Sequence, residues 1–331
     1  MVAQLDRLYI KTRPTKALSR LISYSFFEGR PLTTKGQWIN PLIFKFFAIA
    51  QSLPQLRKVE KPIFIIGTGR SGTTILGVVL SLHKQVGFLN EPKALWHTIY
   101  SKEDLIGSYG QPDARYRLET DDATDLVTYT AHRLFGAYLA TVGSSRLVDK
   151  YPELIFRIPF VRQIFPDAKF IFLVRNGWDT CLSIDGWSKR LGTNIKDDTH
   201  DWWGINNRKW HLLIEQIAAK NIALQNNLAT IKGYSNHIDM ATVEWILTMQ
   251  EGLKLMEQSS ECVYLLKYEE LVARPKNVLK ELLDFCELPH DDKVFDYASK
   301  TLTSRQNNRV FTLPAEITPL FEQTMTALGY S

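Results

Sequence analysis

Residues 64–77, FIIGTGRSGTTILG, carry glycines at the spacing of a phosphate-binding loop. Gly67 and Gly72 fit the pattern G-x-x-x-x-G-K-[ST] of nucleotide-hydrolysing proteins, but Thr73 stands where that pattern has its lysine. Arg70 lies two residues before the second glycine. Glycines let the backbone wrap an anion, and the N-terminus of the following helix adds a positive dipole. The segment therefore predicts an anion site with an arginine fork in place of the lysine ammonium.

Hydroxyl donors crowd the same loop, since Ser71, Thr73 and Thr74 flank its second glycine. An ordinary glycine turn between a strand and a helix is the alternative interpretation. The density of hydroxyl and guanidinium groups favours phosphate binding instead. The predicted binding loop comprises Gly69, Arg70, Ser71, Gly72, Thr73 and Thr74.

Short apolar runs that alternate with helical stretches predict the fold that positions this loop. The runs are residues 62–67, 85–89, 145–149, 168–174 and 261–266, and the helical stretches are 71–84, 122–142, 152–165, 178–190, 202–228 and 239–258. This alternation predicts an α/β fold, a P-loop-type doubly wound parallel sheet flanked by helices. Apolar residues at helical spacing in 15–28 and 41–52 predict an N-terminal helical extension over residues 1–60, followed by the α/β domain over residues 61–331.

Charged and polar side chains follow the predicted strands directly, and ligands of such sheets bind beyond the carboxyl ends of the strands. Glu91 follows the second run, Lys150 the third, Arg175 the fourth and Tyr268 the fifth. A P-loop kinase would need a magnesium-binding carboxylate near the position of Arg175. The arginine predicts a donor phosphorylated in two places and a transfer that does not depend on magnesium.

Composition narrows the class of protein further. The 331 residues carry a formal charge of +5, with ten basic and three acidic residues in 1–60, so the rest of the chain is nearly neutral and nucleic-acid binding is not expected. The basic stretch either contacts something anionic or is a solvated helical face. Three scattered cysteines, no apolar run of roughly 18 residues and no signal-peptide core predict a cytoplasmic enzyme without a transmembrane segment.

In their order along the chain, these motifs resemble the PAPS-dependent sulfotransferases, a family with tyrosyl-protein, carbohydrate and bacterial members. RSGTT at 70–74 resembles the loop that holds the 5′-phosphosulfate, and Arg175 with Ser183 resembles the 3′-phosphate signature. KYEELVARPKNVLKELLDFCEL at 267–288 resembles the family's fifth strand and next helix. The resemblance runs from about residue 62 to the end. It implies PAPS as donor, PAP as product and no required metal.

The resemblance also implies roles for individual residues. Glu91, 21 residues after Arg70 as in the tyrosyl-protein branch, is the expected general base, and an acid that only favours the following helix is its alternative. Because other branches use histidine, His97 is the nearest alternative base, and His132 and His200 are more distant ones. Lys150 is expected to stabilise the leaving phosphate, together with Arg70.

Three further positions are weaker candidates for the cofactor site. Tyr268 is expected near the adenine, although a core tyrosine would give the same pattern. Arg305 and Arg309 lie in TSRQNNRVF, the polar late segment where the family closes a loop over the cofactor.

The acceptor is predicted from KDDTHDWWG at 196–204, where Asp197, Asp198 and Asp201 accompany Trp202. Carboxylates interleaved with indoles suit a cationic ligand, whereas a solvated loop leading into a helix with core tryptophans is the alternative. A hydroxylated cationic natural product is the expected acceptor, and the resemblance suggests a saxitoxin-type alkaloid as one candidate. A carbohydrate or protein-tyrosine acceptor, a P-loop kinase and a non-catalytic nucleotide-binding module stay open as other functions.

Overall fold

A computed structural model of the protein describes residues 2–31, 36–110, 113–302 and 310–330. Its strands form two sheets. The strands are β1 (Ile63–Gly67), β2 (Val86–Asn90), β3 (Arg146–Lys150), β4 (Lys169–Val174), β5 (Thr193–Ile195), β6 (Asp198–Asp201), β7 (Gly204–Ile205) and β8 (Val263–Lys267).

Helices precede the large sheet, connect its strands and follow it. They are α1 (Arg7–Thr12), α2 (Pro14–Ile22), α3 (Asn40–Ser52), α4 (Thr73–Ser81), α5 (Lys93–Ile99), α6 (Asp125–Thr141), α7 (Ile158–Ile164), α8 (Gly177–Leu191), α9 (Arg208–Gln216), α10 (Leu228–Lys232), α11 (His237–Gln258), α12 (Tyr268–Ala273), α13 (Pro275–Phe285), α14 (Asp292–Thr301) and α15 (Thr318–Ala327). No helix in the described part of the chain is both long and apolar enough to cross a bilayer.

The large sheet has the strand order β2-β3-β1-β4-β8, and all its pairings are parallel. Successive residues of β1 alternate between two hydrophobic cores: Phe64 and Ile66 pack into one, Ile63 and Ile65 into the other. Burial on both faces explains why this strand is continuously apolar. The predicted α/β fold with a parallel sheet flanked by helices is confirmed.

The helix predicted over residues 202–228 is wrong. Strands β5, β6 and β7 form a small antiparallel sheet that extends to Ile205, and α9 begins only at Arg208. Asn206 and Asn207 both have positive φ angles, of 48° and 61°, which an α-helix cannot contain. After α9 the chain continues in short 3₁₀ turns, so the predicted helix is divided into several pieces.

The two helices predicted near the N-terminus are confirmed. One is α2, which continues as a π-helical turn over Ser23–Phe27, and the other is α3. Phe27 from the π turn and Phe47 from α3 are fully buried in the same core as the sheet residue Phe64. The N-terminal segment therefore shares a hydrophobic core with the sheet.

Candidate active site

The loop between β1 and α4 is shaped by two aromatic rings packed against its glycines. A Cβ atom added at Gly69 would lie 2.4 Å from the Trp202 ring, and one added at Gly72 would lie 2.3 Å from the Tyr268 ring. Gly72 also has a φ of 102°, a conformation that L side chains rarely adopt. The two glycines thus allow close approach of Trp202 and Tyr268, and Gly72 also turns the chain into α4.

Arg70 extends from this loop toward the end of β4. Its Nε donates to Ser183 Oγ at 3.2 Å, and Arg175 Nη1 donates to the Arg70 carbonyl oxygen at 3.4 Å. Burial, and then the positive charges of Arg190 and Arg175, lower the pKa of the Arg70 guanidinium. Guanidinium groups that repel one another in a partly buried site favour binding of an anion between them.

Arg175 is held at the carboxyl end of β4 by two side-chain interactions. Its Nη2 pairs with Asp179 Oδ2 at 3.1 Å, one turn into α8. The guanidinium also lies 4.9 Å from the centre of the Tyr268 ring. Tyr268 therefore contacts both the glycine loop and the arginine of the predicted phosphate site.

A cavity of about 580 Å³, the donor-side cavity, brings most of the predicted cofactor residues together. The predicted residues in its lining are Gly69, Arg70, Gly72, Thr73, Thr74, Lys150, Arg175, Ser183 and Tyr268. Ser71 is fully buried and is not among the described residues that line it. Arg305 and Arg309 lie outside the described residues.

Glu91 and Lys150 form an ion pair at the ends of β2 and β3. The Glu91 amide donates to the Lys150 carbonyl oxygen at 2.7 Å, and Glu91 itself has a φ of 50°. Burial would raise the pKa of the Glu91 carboxyl, but the ammonium groups of Lys150 and Lys93 outweigh it and hold the pKa below its ordinary value. The carboxylate is therefore ionised at neutral pH, as a general base must be.

The alternative bases occupy different surroundings. His97 packs against Phe44 and Tyr109, with ring centres 6.0 and 5.0 Å away, and His132 Nε2 hydrogen-bonds the Ile164 carbonyl at 3.0 Å. Neither is among the described residues that line the cavities on either side of Glu91. His200 does line the second of these cavities, although only 5% of it is exposed.

This second cavity, the acceptor-side cavity, has a volume of about 450 Å³ and adjoins the first. The residues that line both cavities are Gln4, Gly69, Asn90, Glu91, Trp187 and Trp202. The predicted base thus lies at the junction of the two spaces, and the Trp202 indole packs on Gly69 beside it.

A buried charge network, absent from the sequence-based prediction, supports one wall of the acceptor-side cavity. Lys209 Nζ lies 3.2 Å from Glu153 Oε1 and 2.5 Å from Glu244 Oε1. The same ammonium lies 4.6 Å from the Trp202 ring centre, and Trp202 Nε1 donates to Glu244 Oε2 at 2.7 Å. Burial would lower the pKa of Lys209, but the two carboxylates raise it. The network fixes the Trp202 indole in place.

Two residues of the acceptor-side cavity that were not predicted occupy positions that the sequence could have indicated. Lys93 and Glu153 follow β2 and β3 by three residues each, so the rule that ligands bind beyond strand ends could have included them. Lys209 follows no strand of the large sheet. The cavity residues contributed by the N-terminal segment, Gln4, Tyr24, Glu28, Gly29, Arg30 and Pro31, also had no such signal.

The residues predicted to bind a cationic acceptor do not all line the acceptor-side cavity. Asp201 and Trp202 line the acceptor-side cavity. Asp197 and Asp198 are exposed and are not among the described residues of its lining, and Asp198 Oδ1 accepts a hydrogen bond from Asn206 Nδ2 at 2.7 Å. Asp201 Oδ1 accepts from the Trp203 amide at 2.8 Å, which orients its carboxylate.

Comparison with models of protein families finds a match in the half of the chain that contains the glycine loop between β1 and α4. The model of the sulfotransferase family matches residues 62–226. The chain belongs to the sulfotransferase family. The sulfotransferase match contains the glycine loop, Glu91, Lys150, Arg175 and Trp202, whereas Tyr268 and the N-terminal residues of the acceptor-side cavity lie outside it.

Among individual sulfotransferases, protein-tyrosine sulfotransferase 1 of Danio rerio is 25% identical over 250 residues, 74% of this chain and 59% of that protein. An uncharacterized protein of Aquifex aeolicus is 26% identical over 245 residues, 72% of this chain and 27% of that protein. The aligned part of the chain thus spans little more than half, or about a quarter, of these relatives. The solved sulfotransferase domain from the Synechococcus PCC 7002 olefin synthase has a TM-score of 0.49 and 18% identity, covering 84% of this chain and 98% of the domain.

Proposed function

We propose that this chain transfers a sulfuryl group from PAPS to a hydroxyl group of a small-molecule acceptor, leaving PAP. The observation that carries the proposal is the position of Glu91 on the wall shared by two cavities. One cavity has arginines and hydroxyls suited to phosphates, and the other is large enough for a small organic molecule. A base between donor and acceptor is the arrangement that direct group transfer needs.

The chemistry of the donor-side residues fits PAPS. Arg70, Thr73 and Thr74 would hold the 5′-phosphosulfate together with the first amides of α4, and Arg175 with Ser183 would hold the 3′-phosphate. Bound anions would offset the burial and the positive charges of Arg190 and Arg175, which together lower the pKa of Arg70. Tyr268, packed between the glycine loop and Arg175, would contact the nucleoside. When bound, PAPS supplies the activated sulfuryl group.

The two residues of the ion pair take complementary roles in the transfer. Glu91 accepts the proton of the acceptor hydroxyl as the hydroxyl oxygen forms the new bond to sulfur. Lys150 stabilises the negative charge that develops on the departing phosphate oxygen. Because the Lys150 ammonium contacts Glu91, it also keeps the base ionised before the reaction.

The acceptor class has two candidates. A hydroxylated cationic natural product, for which a saxitoxin-type alkaloid is one example, is supported by Asp201 and Trp202 in the lining of the acceptor-side cavity. A tyrosyl hydroxyl is supported by the similarity to proteins named protein-tyrosine sulfotransferases. A cavity partly walled by the N-terminal segment favours the small molecule.

The proposal is tested by measuring PAP release from PAPS with hydroxylated cations, neutral phenols, sugars and tyrosine-containing peptides, all in EDTA. We expect PAP release with at least one small acceptor and none from the Glu91→Gln variant. Thermal-shift titrations with PAP, PAPS and ATP accompany the assay. A preference for magnesium–ATP would support the kinase alternative, and PAP binding without turnover on any acceptor would support the non-catalytic one.

A further inference from the structure

Strand β2 lies at one edge of the large sheet, and its outward-facing backbone groups need partners. The Glu91 amide and the Gln85 carbonyl both bond to the β3 side, which places odd-numbered residues toward β3. Val86, Phe88 and Asn90 therefore direct their backbone groups away from the sheet. An edge of this kind is usually paired or covered.

Three charged side chains of the N-terminal segment bond to this edge. Lys16 Nζ donates to the Val86 carbonyl at 2.7 Å, and Arg20 Nη1 donates to the Phe88 carbonyl at 2.6 Å. Glu28 Oε1 accepts from the Asn90 amide at 2.9 Å. We call Lys16, Arg20 and Glu28 the edge clamp. Its side chains replace the hydrogen bonds that a further strand would make.

Two members of the edge clamp are themselves a buried ion pair. Arg20 Nη1 lies 2.6 Å from Glu28 Oε1, and their side chains are 2% and 4% exposed. Burial would lower the pKa of Arg20, but the Glu28 charge outweighs it and raises the pKa. Such a pair is held rigidly, because each charge would be costly without the other. The edge clamp therefore fixes both the position and the direction of the Asn90 amide.

The basic character of residues 1–60 has a structural explanation in these contacts. Lys16, Arg20 and Arg30 are buried, and each donates to backbone carbonyl oxygens. Arg13 also donates to a backbone carbonyl and pairs with Asp291. Lys16, Arg20 and Arg13 thus hold the N-terminal segment to the rest of the fold, whereas Arg30 bonds to Tyr24 and Gly29 within the segment.

We propose that Glu28 is a positioning residue for the predicted base Glu91. Glu28 holds the amide of Asn90, the last residue of β2, and Glu91 follows directly in a left-handed conformation with a φ of 50°. A non-glycine residue keeps this conformation only where its surroundings enforce it, and here the Lys150 carbonyl holds one side of the turn and Glu28 the other. This proposal rests on the proposed function, in which Glu91 is the base.

Glu28→Ala tests the proposal through turnover. We expect kcat to fall about 10- to 100-fold, because a displacement of about 1 Å in a reacting group has an effect of that size. The Kd for PAP, measured by calorimetry, should change less than twofold, since Glu28 is not among the described residues of the donor-side cavity. Glu28→Gln keeps an oxygen for the Asn90 amide and should retain most of kcat.

Lys16→Met is the matched control within the edge clamp. Lys16 bonds to the same edge at Val86, four residues before Asn90, and lines neither of the two cavities as described. We expect this variant to lose thermal stability with kcat nearly unchanged. Equal losses of kcat in Lys16→Met and Glu28→Ala would overturn the proposal in favour of a general stabilising role.

A double-mutant cycle separates positioning from direct contact with the acceptor, because Glu28 also lines the acceptor-side cavity. If Glu28 acts through Glu91, adding Glu28→Ala to Glu91→Gln should leave the residual rate nearly unchanged. A full additional loss, or a rise in acceptor KM at constant kcat, would overturn the proposal. The double variant Arg20→Met with Glu28→Leu removes both buried charges, in case Glu28→Ala alone does not fold.

Amide hydrogen exchange tests the edge clamp without any turnover. We expect exchange in residues 86–91 to speed up at least tenfold in Glu28→Ala or in the double variant, and to be unchanged at 90–91 in Lys16→Met. Unchanged exchange at 90–91 in both Glu28 variants would overturn the proposal even in an active enzyme. If wild type is inactive on every acceptor, the proposed function fails while this measurement still decides whether Glu28 holds the end of β2.

Discussion

Glu91 and Lys150 contact each other twice, through their charged groups and through a 2.7 Å hydrogen bond from the Glu91 amide to the Lys150 carbonyl. The second contact continues the ladder between β2 and β3 by one residue beyond the end of β2. The carboxylate is thus fixed by the sheet itself while its charge is balanced by the adjacent strand. The two residues therefore form a single structural unit, in which neither can move without the other.

Replacing Glu91 by glutamine should remove most turnover and preserve cofactor binding. We expect kcat to fall by about 10²- to 10⁴-fold, the usual effect of losing a general base, while the Kd for PAP stays within threefold. His97→Gln is the matched control, since His97 packs between Phe44 and Tyr109 away from Glu91. A loss of turnover in His97→Gln with retained turnover in Glu91→Gln would transfer the role of base to the histidine.

The pH dependence of kcat/KM distinguishes the two kinds of base independently. The pKa of Glu91 lies below its ordinary value of 4.5, so the carboxylate is ionised at every higher pH. We therefore expect no loss of kcat/KM to this group between about pH 5.5 and 8, and a decline only as pH falls through 4.5 and below. A histidine base with an unshifted pKa would instead halve kcat/KM at about pH 6.5, and a His97 base would do so below that pH, because burial lowers the pKa of His97. Pre-steady-state rates measured over this pH range would show whether the decline occurs near the pKa of a carboxylate or near that of a histidine.

The strands and the residues that follow them were predictable because the sheet is parallel. Each strand buried on both faces leaves a continuous apolar run, and every strand ends at the same rim. Glu91, Lys150, Arg175 and Tyr268 were therefore brought together by the strand ends alone. Chemistry at the rim could be predicted without knowing any distance between side chains.

Other parts of the site could not be predicted, because they depend on contacts between remote segments. Glu28 lies 62 residues before the Asn90 amide that it accepts from, and no local pattern marks that pairing. Asn206 and Asn207 divide a stretch whose apolar spacing favours a helix, and asparagine in the left-handed region cannot be told from a helical asparagine by type alone. Asp197 and Asp198 were grouped with Asp201 by proximity in sequence, but Asp197 lies in the turn before β6, and Asp198 is three residues from Asp201 on the same strand, where an odd spacing places side chains on opposite faces.

Removing the guanidinium of Arg175 should weaken binding of the 3′-phosphate selectively. Arg175→Met should lower PAP affinity by roughly 1.5–3 kcal/mol, about 10- to 150-fold, because a charge-assisted hydrogen bond is lost. Affinity for adenosine 5′-phosphate, which lacks the 3′-phosphate, should change little. Since Arg175 also pairs with Asp179, the double variant Arg175→Met with Asp179→Asn removes both charges together and should give the same selectivity. Equal losses for both nucleotides in calorimetry would contradict the assignment.

Asp149 precedes the ion-paired Lys150 in β3 and is fully buried. It should make the free energy of unfolding depend on pH. Burial raises the pKa of Asp149 to about 8, although the hydrogen bond from Trp96 Nε1, 2.7 Å long, opposes the shift. The folded state therefore keeps a proton that the unfolded chain releases near about pH 3.9. This stabilising contribution is complete below that pH and is lost as pH rises through 8.

Asp149→Asn mimics the protonated carboxyl at every pH and should reveal this linkage. We expect the Tm of the variant, relative to wild type, to increase from pH 5 to about pH 8 and to level off above it, where Asp149 is ionised in both the folded and the unfolded chain. The exposed Asp296 on α14 supplies the control variant Asp296→Asn, which removes a carboxylate without changing a buried group. A pH-independent Tm difference for Asp149→Asn would mean that Asp149 stays ionised in the folded protein.

Charge selectivity toward the acceptor should depend on Asp201 and not on its two neighbours in sequence. Asp201 lines the acceptor-side cavity beside Trp202, whereas Asp197 and Asp198 are exposed on the small sheet and its turn. Asp201→Asn keeps the oxygen that accepts from the Trp203 amide, so the local fold should survive while the negative charge is lost. We expect the kcat/KM ratio of a cationic to a matched neutral acceptor to fall by roughly 1 kcal/mol, about fivefold.

Asp197→Asn and Asp198→Asn are the matched controls, since each removes one charge within four residues of Asp201 but outside the cavity lining as described. Both should leave the ratio unchanged. An equal change in all three variants would indicate the summed field of the small sheet and contradict a direct contact. An unchanged ratio in Asp201→Asn would remove the support for a cationic acceptor, and neutral phenols or tyrosyl peptides would then be the acceptors to pursue.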